Sequence, residues 1–194
     1  MASGKDWPSL PVKEEKLDPE NRSIECDGPL NPSHLNNCQT EGKENESNVD
    51  FDDFYDTSSL KEASTALIFC YANPVVKTPD KTEKNKTERS RRAGTHKDCK
   101  SLKDVLKCLN FSPWLYHDLT MDETIDIIKT ASKDDHTQRG AFVCVFLSHG
   151  NESGEIGTDD GLLKWKPLME LFNPEKCSSL AGKPKICIIQ VIHF

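Results

Sequence analysis

Apolar residues between positions 66 and 190 follow two alternating patterns. One is a short solid run: Ala66–Tyr71 (ALIFCY), Phe142–Leu147 (FVCVFL) and Lys185–Gln190 (KICIIQ). These runs lack polar alternation and are rich in Phe, Val and Ile, which predicts strands buried on both faces. The other pattern repeats at i, i+3, i+4 and i+7. Leu102, Val105, Leu106 and Leu109 obey it and predict a helix over Asp98–Leu109. Thr120 with Glu123 three residues on forms a capping box. It opens a second helix with Met121, Ile125 and Ile128 inward, ending near Ser132. Trp114–Leu119 reads as a further strand. Glu155-Ile156-Gly157 and Gly161-Leu162-Leu163, joined by Thr158-Asp159-Asp160, read as a small hairpin. Pro167 suits the first turn of a helix carrying Leu168, Leu171 and Phe172. Strands alternating with helices predict an α/β fold with a mostly parallel sheet covered on both faces.

Residues 1–57 break this pattern. They are polar, proline-interrupted and acidic, with five Lys/Arg against fourteen Asp/Glu. That is −9 of the chain's net −7, so the remainder carries +2. Such a segment buries too little apolar surface to offset chain entropy and is expected to be disordered. An acidic tail on a near-neutral body argues against nucleic acid as a partner. No apolar run reaches the roughly 18–20 residues of a membrane span, and MASGKDWPSL lacks a signal core. A cytoplasmic protein is expected. In that compartment the eight scattered cysteines, with no C-x-x-C pair, indicate neither a zinc site nor a disulfide framework. Cys70, Cys144 and Cys187 are expected as buried thiols.

The run at 142–147 stops at Ser148-His149-Gly150. That places an imidazole at the carboxyl end of a buried strand, where ligands bind in open α/β sheets. On the residues alone, His149 is either a catalytic base or a satisfied structural histidine. A base needs a Cys or Ser to activate, from a neighbouring strand end. The strand ending at Gln190 is in the right place, but no Cys or Ser follows it.

Three motifs in order, RRAGT, FVCVFLSHG and GKPKICIIQ, resemble the large subunit of a caspase. The resemblance runs from about Ala66 to Gln190. The caspase signature Q-A-C-[RQG]-G has its histidine roughly 50 residues upstream; His149 precedes Gln190 by 41. The resemblance implies a three-layer caspase-like fold, left incomplete because the small subunit is absent. It also implies an Asp-directed cysteine endopeptidase of apoptosis that needs no cofactor and no metal. His149 matches the catalytic base and Gly150 the residue whose N–H forms half of the oxyanion hole. Arg92 and Gln190 match two members of the pocket that reads a substrate aspartate.

Two departures qualify the match. Ile192 occupies the position of the nucleophilic cysteine and has no ionisable atom, so this chain is expected to be inactive. The likeness stops after Gln190, which suggests a splice form, intron read-through or an incomplete gene model. A non-catalytic decoy that pairs with a full-length caspase is the alternative function. The resemblance also bears on the tail. Asp53-Phe54-Tyr55-Asp56 has the Asp-x-x-Asp form, so Asp56 is the expected processing site and Asp27 a weaker one. The expected layout is a disordered acidic prodomain at 1–57, a large-subunit domain at 58–190 and a divergent tail at 191–194.

Overall fold

A computed structural model describes residues 60–77, 88–89, 91–92 and 94–193. Asp27 and Asp56, with the rest of the acidic segment, lie outside the described residues. The central strand is β5 (Phe142–Gly150), and all nine of its residues are buried. It pairs in parallel with β1 (Ser64–Cys70) on one side and β8 (Lys185–His193) on the other. β1 in turn pairs in parallel with β4 (Phe111–His117), an edge strand. β6 (Ile156–Gly157) and β7 (Leu162–Leu163) form the small hairpin, which joins the sheet antiparallel through Gly150 and Ile156. β2 (Val75–Lys77) and β3 (Glu88–Arg89) make a separate two-stranded antiparallel ribbon.

The absence of alternation in β5 follows from the two layers on its faces. Phe142, Cys144 and Phe146 join Leu67 and Phe69 of β1, and Tyr71 just after it, in one core cluster. That cluster is closed by α2 (Met121–Ser132), by the short helix α3 (Lys166–Met169) and by the 3-10 turn Glu170–Phe172. Val143, Val145 and Leu147 point the other way. With Ala66 and Ile68 they pack against Leu106 of α1 (Thr95–Cys108). Stacked rings hold the first cluster: Phe69 on Phe146 at 5.2 Å and Phe142 on Phe172 at 4.0 Å.

The capping box at α2 is formed as expected. The Glu123 N–H donates to Thr120 Oγ1, and the Thr120 N–H donates to Glu123 Oε2. Other expected elements moved. β4 begins at Phe111 rather than Trp114, because Pro113 is tolerated on an edge strand. It ends at His117, where Asp118 turns to a φ of 45°. The helix expected from Pro167 has one α-turn and then tightens to 3-10. β8 continues through Val191 to His193 instead of stopping at Gln190. The cysteine expectation is corrected as well. Cys70 is joined to Cys99 by a disulfide, Cα to Cα 6.6 Å. The two lie 29 positions apart in sequence, so no local pattern signals the pairing. Cys144 is a buried free thiol, whereas Cys187 is only half-buried.

A buried polar knot closes the amino-terminal end of the sheet. His136 is fully buried, its Nε2–H donating to the Ala131 carbonyl at 2.9 Å. Its other nitrogen faces Arg139, which is paired with Asp134 and Glu62. Lys183 donates to the His136 and Thr137 carbonyls. Burial holds His136 below its ordinary 6.5, with Arg139 and Lys183 adding to the effect. The folded chain therefore binds fewer protons at this site than the unfolded chain. Stability is fully present above pH ~6.5 and is lost as pH falls through the depressed folded value. The thermal midpoint is expected to drop between pH 7 and 5.5, and His136→Gln to remove most of that slope. An unchanged slope in the variant would refute the assignment.

Candidate active site

The candidate residues gather at the carboxyl ends of β5 and β8 and at the start of α1. His149 is 2% exposed and lies on the α1 side of β5, by alternation with Val143, Val145 and Leu147. Ser148 fixes the strand end beneath it, its Oγ–H donating to the Gly157 carbonyl at 2.6 Å. Gly150 ends the strand where space is short. A Cβ there would come within 3.1 Å of the Glu155 carbonyl and 3.2 Å of the Val191 Cβ. Glycine therefore lets β8 pass close beside the strand end. The following turn is held by Asn151, whose side chain bonds the N–H and carboxylate of Glu155.

Arg92 lies beyond the carboxyl end of β1. Its N–H donates to the Ala72 carbonyl at 2.7 Å, fastening it to the end of β1. Gly94, at a φ of 87°, turns the chain into α1 without a side-chain cap. Thr95 then braces the arginine twice. Its hydroxyl donates to the Arg92 carbonyl at 3.1 Å, and Arg92 Nη1 lies 3.3 Å from the same oxygen. The arginine is 8% exposed, and burial pulls its guanidinium below the ordinary range, opposed by Asp98. Its buried Nε has no hydrogen-bond partner among the described residues. Nη2 reaches Gln190 Oε1 at 3.5 Å, across 98 positions of sequence. A buried guanidinium with an unused donor beside an amide is suited to a carboxylate.

The β5–β8 register aligns the remaining positions. His149 is the direct partner of position 192, and Leu147 of Gln190. Gln190 alternates with Cys187, Ile189 and Val191, which pack on the opposite core, so it shares the α1 side with His149. The fold thus brings together His149, Gly150, Arg92, Gln190 and the backbone of Ile192. No pattern in the sequence marks the supporting contacts. Thr95, Ala72 and Ser148 act through bonds to distant segments and leave no local pattern.

The caspase domain model matches residues 65–193. The chain belongs to the caspase-domain family. Within the family it is 43% identical to caspase-3 of Mesocricetus auratus over 99 residues, which is 51% of this chain and 35% of that protein. It is 39% identical to caspase-3 of Mus musculus over 104 residues, 54% of this chain and 37% of the relative. Caspase-7 of Gallus gallus is 36% identical over 111 residues, 57% of this chain and 36% of the relative. The matched region therefore spans just over a third of the length of these relatives. The α/β fold with a mostly parallel sheet is the one expected from the sequence. No helix among the described residues is long and apolar enough to cross a membrane.

Proposed function

We propose that this chain carries the base and part of the specificity pocket of an executioner-type cysteine endopeptidase that cuts proteins after aspartate. In this reading His149 is the base that activates a thiol and later protonates the leaving amine. The Gly150 N–H stabilises the tetrahedral oxyanion. Arg92 and Gln190 hold the substrate carboxylate. The observation that carries the reading is the in-register pairing of His149 with position 192, with Arg92 and Gln190 in contact beside it. A thiol at 192 would stand one strand spacing from the imidazole. Isoleucine there leaves the base with nothing to deprotonate.

The chain as it stands is accordingly expected to release no fluorophore above background from an Asp-containing tetrapeptide. Hydrolysis by the purified chain, abolished by His149→Ala, would overturn the role given to position 192. The acidic segment is read as a prodomain removed after Asp56, with Asp27 a lesser site. Digestion with an active executioner caspase is expected to give a new amino terminus at Thr57, read by mass spectrometry. No cut at Asp56 would remove that assignment. One observation favours a second, non-catalytic reading. β8 pairs only with β5 among the described strands and exposes Ile186 (46%) and Ile188 (42%) on one face. Such a face suits pairing with a full-length caspase as a decoy. Co-precipitation that is lost on Ile188→Lys would support this second reading, and absence of co-precipitation would exclude it.

A further inference from the structure

Two pairs of potential ligands lie by the carboxyl ends of β1 and β4 and the first turn of α1, on the α1 side of the sheet. Cys70 ends β1 and is in direct register with His117, the last residue of β4. In-register neighbours on parallel strands present their side chains to the same face. Cys70 belongs to the α1-side core, and His117 alternates with Phe111 and Leu115, which pack there too. From α1 come His96 and Cys99. Their three-residue spacing sets both on one side of the helix. The fold joins the four in pairs. Cys70 is bonded to Cys99, and the His96 and His117 rings lie 5.0 Å apart with planes tilted by 37°. While the disulfide is closed its sulfurs are not ligands, and no three metal-ligating side chains group together among the described residues.

We propose that reduction of Cys70–Cys99 opens a Cys2His2 site for Zn2+, completed by His96 and His117. The disulfide accepts two electrons and two protons from a low-molecular-weight thiol, two molecules of which are oxidised to their own disulfide. Zn2+ then displaces both thiol protons and binds two thiolates and two neutral imidazoles. This donor set is that of closed tetrahedral zinc sites, and its sulfur content selects zinc over magnesium or calcium. With Zn–S bonds of about 2.3 Å, tetrahedral sulfurs sit roughly 3.8 Å apart. The two cysteines therefore need to separate by only about 2 Å from a bonded pair. The free thiols Cys144, Cys177 and Cys187 belong to the core on the other side of the sheet, so they are not candidate ligands here. The site would clamp the first turn of α1, whose Thr95 braces Arg92. The inference does not depend on the protease reading.

The test uses the full chain, oxidised or reduced and desalted without air, titrated with Co2+ and then Zn2+. The reduced chain is expected to bind one Co2+ with the intense visible bands and thiolate charge transfer of a tetrahedral sulfur–nitrogen site. Zn2+ should displace it, and the oxidised chain should show neither band. His96 is exposed, so His96→Ala is expected to keep the far-ultraviolet circular dichroism while weakening Zn2+ binding at least tenfold. His117→Ala should do the same. Equal binding by the oxidised chain, no binding by the reduced chain, or reduced-state binding indifferent to both histidine substitutions would each overturn the proposal.

Discussion

Ile192→Cys is expected to create a thiol that iodoacetamide alkylates roughly tenfold faster at pH 6.5 than an ordinary exposed cysteine, and His149→Ala is expected to remove that advantage. The argument begins with the register, which makes position 192 the direct neighbour of His149 on the adjacent parallel strand. An ordinary thiol with a pKa of about 8.5 is only about 1% thiolate at pH 6.5. An adjacent imidazolium brings cysteines into a range of roughly 3.5–7.5 and makes the thiolate a major species. The lower pKa also weakens each thiolate as a nucleophile, which reduces a gain of nearly a hundredfold to about ten. The rate is read by mass spectrometry of the peptide that contains residue 192, so the other cysteines do not interfere. Its pH profile should move to lower pH in Ile192→Cys and return in the double variant with His149→Ala. Equal rates in the two backgrounds would show that His149 does not act on this position.

This experiment isolates the step for which the chain holds the required parts. Hydrolysis needs every partner of the reaction, whereas thiolate formation needs only a thiol and a nearby base. A positive result would assign His149 its role whatever the fate of the peptide bond. Thr95 offers a companion measurement. If its hydroxyl braces Arg92 as the two bonds indicate, Thr95→Val should leave the alkylation rate unchanged, because the arginine pocket and the base are separate devices.

The extent to which the site could be read from the sequence depended on how local each signal was. The solid apolar run of β5 announced a strand buried on both faces, and both core clusters use it. The Ser148-His149-Gly150 stop marked its carboxyl end. Thr120 and Glu123 defined the start of α2, since a capping box lies within four residues. Pro113 misled the reading of β4, because a missing N–H excludes a residue from a central strand but not from an edge. Val191 and Ile192 are β-branched and extend β8, although the family motif drew attention to Gln190 as an end point. Contacts such as Arg92 to Ala72, Arg92 to Gln190 and Cys70 to Cys99 join residues that only the tertiary fold brings together.

Gly157→Ala is expected to destabilise the chain by about 3 kcal/mol, while Gly161→Ala in the same hairpin should cost less than about 0.5 kcal/mol. A Cβ on Gly157 would lie 2.1 Å from the Val75 carbonyl oxygen and 3.0 Å from the Pro74 Cβ. The first of these is backbone, so relief requires the segment after β1 to move. That segment cannot move freely. The Val75 N–H donates to the Thr158 carbonyl, and the Gly157 carbonyl itself receives the Ser148 hydroxyl. Displacement also disturbs Ala72 and Asn73, whose carbonyls hold the Arg92 N–H and the Arg89 guanidinium. Arg89 in turn pairs with Asp159 in the hairpin turn. One added methyl group thus loosens three segments that support the arginine pocket. At Gly161 the nearest atom is the Met121 sulfur at 3.9 Å, an ordinary contact. Thermal unfolding of the two variants provides the comparison, with a midpoint drop of roughly 10 °C expected for Gly157→Ala alone. Hydrogen exchange at the Arg92 amide should rise in the same variant. Equal midpoints for the two alanine variants would mean that the close approach of β6 to Val75 does not hold in solution.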